Sequence, residues 1–236
     1  MTKERLDSRM ARETGLSRAR AAAAILAGEV KVGGKPARKP GQALAGEIEY
    51  TPRSTAVSRA AGKLAPVLAT WNVSVEDKVV LDVGASTGGF TQTVLEAGAR
   101  NVIAVDVGHG QLAWSLRNDP RVINLEKTDI RKFQTKQKID IVLIDVSFIS
   151  LRLILPNIEK LIPKQTQIIA MVKPQFEAGA SRLNKGVIKN DSQRRKILLD
   201  FEIWAKQNWL VLDKADSQVA GAKGNVERFY LLKKQK

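Results

Sequence analysis

The stretch from Val79 to Gly108, VVLDVGASTGGFTQTVLEAGARNVIAVDVG, constrains this chain more than any other. An apolar, β-branched run ends at Asp82-Val83-Gly84. A loop of small residues follows, then a helical pattern, then a second apolar run ending at Val105-Asp106. Strand, loop, helix and strand in this span form the crossover that joins two parallel strands. In an open sheet of this kind, ligands bind in the crevice outside the carboxyl ends of the strands. Asp106, at the tip of the second strand, can there accept from both hydroxyls of a ribose.

The loop narrows the choice of ligand. A dinucleotide fingerprint is G-x-G-x-x-G, whose backbone N–H groups cradle a pyrophosphate. Here the loop is Gly84-Ala85-Ser86-Thr87-Gly88-Gly89, without the middle glycine, and Asp82 stands on the strand just before it. A carboxylate there repels a pyrophosphate and suits a ligand with an ammonium group, such as S-adenosylmethionine. The residues therefore favour a methyltransferase over a nicotinamide-dependent dehydrogenase.

The chain has 236 residues, enough for one large domain or a medium one plus a small one. With no cysteine and one histidine, neither a disulfide framework nor a Cys or His zinc cluster is expected, and we expect no metal. The charged start MTKERLDSRMARE lacks the apolar centre of a signal peptide, and no apolar run has the length of a membrane span. A cytoplasmic protein with no membrane partner is the expectation. The formal net charge of +15 calls for a polyanionic partner, most simply nucleic acid. Residues 1–60 hold 12 Lys and Arg against 6 Asp and Glu; the remaining 176 hold 27 against 18. Charge density is thus about twice as high in the first segment.

That first segment has its own pattern. A short amphipathic helix is expected over Glu4–Glu13, stopped by Gly15, and a second over Arg18–Ala27, capped by Ser17 and ended by Gly28. Val30-Lys31-Val32, a Gly33-Gly34 turn, Lys35 to Lys39 and a strand near Glu47–Tyr50 complete a small sheet. Arg5, Arg9, Arg18, Arg20, Lys31, Lys35, Arg38 and Lys39 are able to share one face, and the first six of them are the candidate RNA-binding residues. The residues Arg5-Leu6-Asp7, Leu16-Ser17-Arg18, Ala22, Ile25, Gly28 to Val32, Gly34 and Lys39-Pro40 resemble the S4-type RNA-binding domain. That resemblance implies that the two helices and their loop bind structured RNA by its shape and backbone.

We therefore expect an α+β S4-type domain over 1–52, a linker over 53–60, and a second domain over 61–236. The second opens with a helix over Ser58–Ala69. Strands are expected near 78–83, 101–106, 121–125, 140–145, 166–172, 208–213 and 227–233, and helices near 88–97, 110–117, 149–161 and 191–206. The alternation predicts an α/β, doubly wound, Rossmann-like sheet.

Four polar residues fall where such a sheet exposes them. Asp145 ends the run Ile139 to Ile144, Lys173 ends Ile168 to Val172, Glu227 begins the last strand, and Lys63 lies on the helix before the first. An unpaired lysine at the end of a buried strand is costly. The chemistry expected is methyl transfer to a ribose 2′-hydroxyl, where the protein must position the oxygen in line and remove its proton. A lysine serves as the base when a second cation nearby favours its neutral form. Lys173 is the candidate base, held by Asp145. Lys63 is the second cation, tuning Lys173 or orienting the substrate, and Glu227 holds Lys63 or the substrate.

The motifs Asp82 to Thr91, Val105 to Gly108, Asp145 to Leu151, Lys173 to Glu177 and Gly224 to Glu227 resemble the TlyA (hemolysin A) family of rRNA 2′-O-methyltransferases, built on the FtsJ-like fold. The resemblance implies S-adenosylmethionine as cofactor and ribosomal RNA or ribosomal subunits as partner, with a cytidine ribose as target. It makes Lys63, Asp145, Lys173 and Glu227 the catalytic tetrad. Asp82, Gly84, Ser86, Gly88 and Phe90 would line the cofactor site, with Asp106 at the ribose and Asp129 at the adenine amine. Two segments depart from the family pattern: Ser58-Arg59-Ala60-Ala61-Gly62-Lys63, where two glycines are usual before the lysine, and Ser217 to Gly221, which lacks the usual Ser-Pro.

His109, the only histidine, reads as a loop residue beside the cofactor with nothing nearby to orient it. Trp71, Trp204 and Trp209 read as packing residues, and Trp114 either packs or touches adenine. Lys185, Lys189, Arg194, Arg195 and Lys196 either contact phosphates or form a solvated helix face. The rival readings are an inactive RNA-binding or ribosome-assembly factor, a hemolysin as the family name suggests, and the dehydrogenase. Cofactor binding with methyl transfer, erythrocyte lysis, and nicotinamide binding respectively discriminate them.

Overall fold

The computed structural model describes residues 4–51, 57–58, 60–178, 187–188, 190–221 and 224–235. Most of the expected linker, together with Lys185 and Lys189, lies outside these. The chain divides into two compact units, Met1–Thr55 and Ala56–Lys236.

In the first unit, α1 (Leu6–Thr14) and α2 (Arg18–Leu26) precede β1 (Val30–Val32), β2 (Lys35–Pro36) and β3 (Ile48–Tyr50). Gly15, at φ 72°, ends α1, and Ser17 caps α2 by accepting from the Arg20 backbone N–H. The strands form an antiparallel sheet in the order β2-β1-β3. Leu6, Met10, Ala21, Ala24, Ile25, Val30 and Val32 are buried together as its core.

The second unit begins with α3 (Ala61–Thr70), then β4 (Val79–Val83), α4 (Gly89–Glu96), β5 (Asn101–Val105), α5 (Trp114–Arg117) and β6 (Val122–Leu125). It continues through β7 (Ile141–Ile144), a 3-10 turn (Leu151–Leu153), α6 (Leu155–Leu161), β8 (Gln167–Val172) and α7 (Pro174–Glu177). α8 (Asp191–Ala205), β9 (Trp209–Asp216) and β10 (Arg228–Lys234) follow. One seven-stranded sheet runs in the order β6-β5-β4-β7-β8-β10-β9. The first five of these strands are parallel; β10 and β9 are antiparallel additions at one edge. Among the described residues, no helix is long and apolar enough to cross a membrane.

Side chains alternate between two cores, one on each face. Leu81, Val83, Val142, Ile144, Ile168 and Ala170 pack toward Leu155, Ile158, Phe201 and Trp209. Val80, Val102, Leu143, Ile169 and Met171 pack toward Leu64, Leu68, Val94 and Leu95. Strands buried on both faces need continuous apolar runs, which is what the sequence supplies. Each such side chain stabilises the fold by about 1.5–3 kcal/mol when fully buried.

Two helices depart from expectation. The 110–117 pattern yields only Trp114–Arg117, because Glu126 captures the preceding backbone: its carboxylate accepts from the N–H groups of Gly110, Gln111 and Leu112. The 149–161 pattern breaks into the 3-10 turn and α6 around Ile154, just ahead of Pro156.

The order in which successive parallel strands are added reverses between β4 and β7, the switch point at which such sheets bind ligands. Gly84 lies at that point with φ +82°, and a Cβ there would sit 2.8 Å from the Asp145 carbonyl oxygen. Gly84→Ala should therefore lower folding stability by at least about 2 kcal/mol, seen as a lower urea midpoint. An unchanged midpoint would show that this close approach is not required.

Candidate active site

A cavity of about 610 Å³ opens at the switch point. It is lined by residues from five places in the sequence: Lys63 on α3; Asp82, Gly84, Ser86, Gly89 and Phe90 around the first loop; Asp145, Ser147 and Phe148 after β7; Lys173, Gln175 and Phe176 after β8; and Asn225 and Glu227 before β10. Asp145 and Lys173 arrive at carboxyl ends of parallel strands. Glu227 arrives at the same edge because β10 runs the other way, pairing Arg228 with Val172. Antiparallel addition thus puts the start of the last strand beside the ends of the others.

The four charged residues form two ion pairs. Lys63 Nζ lies 2.5 Å from Glu227 Oε2, with side-chain exposures of 11% and 4%. Lys173 Nζ lies 2.6 Å from Asp145 Oδ1 and donates to Ser147 Oγ at 2.9 Å. Buried ions need close partners, and both lysines have them.

Asp82 is the deepest of the acids, fully buried on β4. Thr91 Oγ1 donates to its Oδ2 at 2.6 Å, while Oδ1 is buried without a hydrogen-bond partner. Burial, with the carboxylates of Asp145 and Asp106 nearby, pushes its carboxyl up to about 7. An orphaned carboxylate oxygen in a cavity wall is suited to a cationic ligand, so the residues present fit a donor carrying an ammonium group.

The other expected cofactor residues are placed differently. Asp106 does not line the cavity; it is partly buried and accepts from Ser86 N at 2.8 Å and Gly108 N at 2.7 Å. Ser86 Oγ also donates to Gln111. Gly88 is buried at φ +95°, where a Cβ would strike Leu116; it serves packing at the start of α4 rather than the cavity surface. Asp129 does not line the cavity and is gripped by Arg131 through its side chain and backbone N–H, which brings its carboxyl down to about 2. Burial raises the Glu126 carboxyl, but the three loop N–H groups and Arg117 outweigh it and bring it down to about 2. His109 does have an orienting neighbour, contrary to the sequence reading: its Nδ1 lies 3.5 Å from Glu126. Trp209 is buried, Trp71 and Trp204 are partly buried, and Trp114 is 59% exposed.

Sequence reasoning did not single out Phe148. It lines the cavity, is 90% exposed, has φ +66°, and its ring lies 5.1 Å from that of Phe176. The available signal was an aromatic set between two serines, Ser147 and Ser150, just after Asp145.

In the first unit, Asp7 is 3% exposed and pairs with both Arg5 and Arg18. The Arg5 hydrogen bond, with Arg18, holds its carboxyl well below the usual range. Arg9 pairs with Glu13 and donates to the carbonyls of Leu44 and Gly46, so it braces the domain as well as carrying charge. Arg20, Lys31, Lys35, Arg38 and Lys39 are exposed. In the second unit Arg194 binds Asp216 and the Val226 carbonyl, and Arg195 pairs with Asp191.

A folded-state carboxyl near 7 makes stability pH-dependent. The contribution of Asp82 is fully present below the unfolded value near 4 and is lost as pH rises through about 7. In denaturant titrations of ligand-free protein, Asp82→Asn should remove part of the stability decline between pH 5 and 8. An identical pH slope in wild type and variant would contradict the shifted carboxyl.

Among known proteins, a family model described as FtsJ-like methyltransferase matches residues 56–235, and one described as S4 domain matches 4–47. The 16S/23S rRNA (cytidine-2′-O)-methyltransferase TlyA of Mycobacterium tuberculosis is 40% identical over 242 residues, covering 98% of this chain and 90% of that one. Hemolysin A of Brachyspira hyodysenteriae is 39% identical over 219 residues, covering 89% and 91%. A solved structure from Streptococcus thermophilus, named as a hemolysin, superposes with a TM-score of 0.74 at 37% identity, covering 98% of this chain and 88% of that one. With an S4 domain ahead of an FtsJ-like methyltransferase domain and this level of identity along nearly its whole length, the chain belongs to the TlyA family.

Proposed function

We propose that the chain is an S-adenosylmethionine-dependent methyltransferase acting on a ribose 2′-hydroxyl of ribosomal RNA, with cytidine the favoured nucleoside, in the cytoplasm. The observation that carries this reading is the convergence of two lysine–carboxylate pairs with the orphaned Asp82 oxygen around one cavity. Relatives named as rRNA (cytidine-2′-O)-methyltransferases support the same chemistry.

When bound, S-adenosylmethionine supplies a methyl group already activated by its sulfonium. Asp82 would hold the ammonium of the donor, and the Gly84–Phe90 loop would shape the wall beside it. Asp106, reached through Ser86, would exchange its backbone partners for ribose hydroxyls. Asp129 would serve the adenine only after releasing Arg131. Gly88 sets the start of α4 from beneath.

Lys173, in its neutral-amine form, takes the proton of the target 2′-hydroxyl at Nζ, and Asp145 pairs with the ammonium that results. Asp145 and Ser147 fix that amine in place. Lys63, fixed by Glu227, orients the acceptor sugar and its phosphate. Phe148, exposed at the mouth and set against Phe176, offers a stacking surface to the base of the target nucleotide. The S4 unit anchors structured RNA by its backbone through Arg5, Arg18, Arg20, Lys31 and Lys35, with Arg9 bracing that surface.

Lys173→Ala should reduce methyl transfer to ribosomal subunits or rRNA by at least about a hundredfold, while calorimetry finds donor affinity changed less than about threefold. Retained activity would remove Lys173 as the base. Arg20→Ala with Lys31→Ala takes away two exposed cations and leaves Asp7 and its partners alone. Binding to rRNA should weaken, and the slope of log affinity against log salt should flatten by about one to two. An unchanged slope would place the RNA-binding surface elsewhere.

A further inference from the structure

Glu177 closes the Lys173–Glu177 turn, and the reaction just described does not use it. Its side chain is 2% exposed. Oε2 accepts from Ser150 Oγ at 2.6 Å and Oε1 from Leu151 N at 2.7 Å, and Arg152 Nε lies 3.6 Å from Oε2. Ser150 and Leu151 end the loop that begins at Asp145. One carboxylate therefore ties the segment after β7 to the segment after β8, 26 to 27 residues apart in sequence.

What those two segments carry gives the tie its meaning. The first holds Asp145, Ser147 and Phe148; the second holds Lys173, Gln175 and Phe176, and all six line the cavity. Phe148 combines a left-handed backbone with 90% exposure. A bulky residue stays in that conformation only where its surroundings over-determine it. Its own side chain meets Phe176 but lies mostly in solvent, so local packing supplies little of that constraint. The Glu177 bonds, two and three residues downstream, supply it. Burial pushes the Glu177 carboxyl up against those same bonds, so the tie is made at a cost.

We propose that Glu177 is a positioning residue. By clamping Ser150 and Leu151 it fixes the Asp145–Leu151 loop against the Lys173 turn, and so sets the Lys173–Asp145 pair and Phe148 around the methyl acceptor. This rests on the reading of the cavity as the site of methyl transfer.

The test uses the full-length chain with Glu177→Ala, Glu177→Gln and Ser150→Ala. Glu177→Ala should slow single-turnover methyl transfer to rRNA by about tenfold or more, with donor affinity within twofold of wild type. Amide hydrogen exchange should accelerate at residues 146–151 and stay unchanged in β4 and α4. Glu177→Gln keeps an oxygen for the Leu151 N–H and an amide for the Ser150 hydroxyl, and should recover most of the rate. Ser150→Ala should fall between. If the alanine variant does not fold, the glutamine and Ser150 variants carry the same comparison. A wild-type rate in Glu177→Ala, or exchange rising throughout together with lost donor affinity, overturns the proposal. Wild-type protein that transfers no methyl group overturns the reading of the cavity, and with it the catalytic role of Glu177; the exchange pattern then still decides whether the clamp exists.

Discussion

Two lysine–carboxylate pairs, held almost out of water at one edge of a sheet, are what the second unit is arranged around. Neither lysine is tolerable alone: removing one partner of a buried pair leaves a bare charge and costs about 3–5 kcal/mol. The fold meets that demand with topology. Parallel β7 and β8 deliver Asp145 and Lys173 at their ends, and antiparallel β10 delivers Glu227 at its beginning. α3 brings Lys63 to meet it. Gly84 lets the first loop approach the Asp145 backbone closely enough for all of these to share one cavity with Asp82.

The cavity is graded from inside to outside. Asp82, fully buried with one oxygen unmatched, gives the interior an appetite for positive charge. The ion pairs are slightly more exposed than Asp82, and Phe148 is almost wholly exposed. A cationic donor set inward and an acceptor entering from the RNA side would meet beside Lys173. The basic first unit suits the same proposed division of labour: it would anchor the polyanion while the second unit performs chemistry on one sugar of it.

The elements legible in the sequence are those whose signal is local. Strands β4, β5, β7 and β8 are apolar, largely β-branched runs buried on both faces, and nothing competes with that pattern. Asp145 and Lys173 were legible because an ion at the end of such a run stands out, whereas Lys63, on a helix, and Glu227, ahead of the last strand, are marked most sharply by the family resemblance. What stayed hidden depends on partners remote in sequence. Glu126 draws in the backbone of Gly110 to Leu112 and cuts short a helix that periodicity favours. Asp129 reads as a cofactor acid, but its neighbour Arg131 occupies it and it is not among the residues lining the cavity. Gly88 reads as a loop glycine facing a ligand, yet Leu112 and Leu116 press on it. Phe148 and Glu177 both lie inside motifs that were recognised, and only the fold reveals that one is strained and the other holds it.

The account turns on where the methyl group goes. Incubating the protein with isotopically labelled S-adenosylmethionine and ribosomal subunits, then digesting the RNA to nucleosides for mass spectrometry, reads this directly. The account predicts label in a single 2′-O-methylated nucleoside, cytidine foremost, on the ribose. Label on a base, or none in RNA from subunits that the protein demonstrably binds, would contradict it.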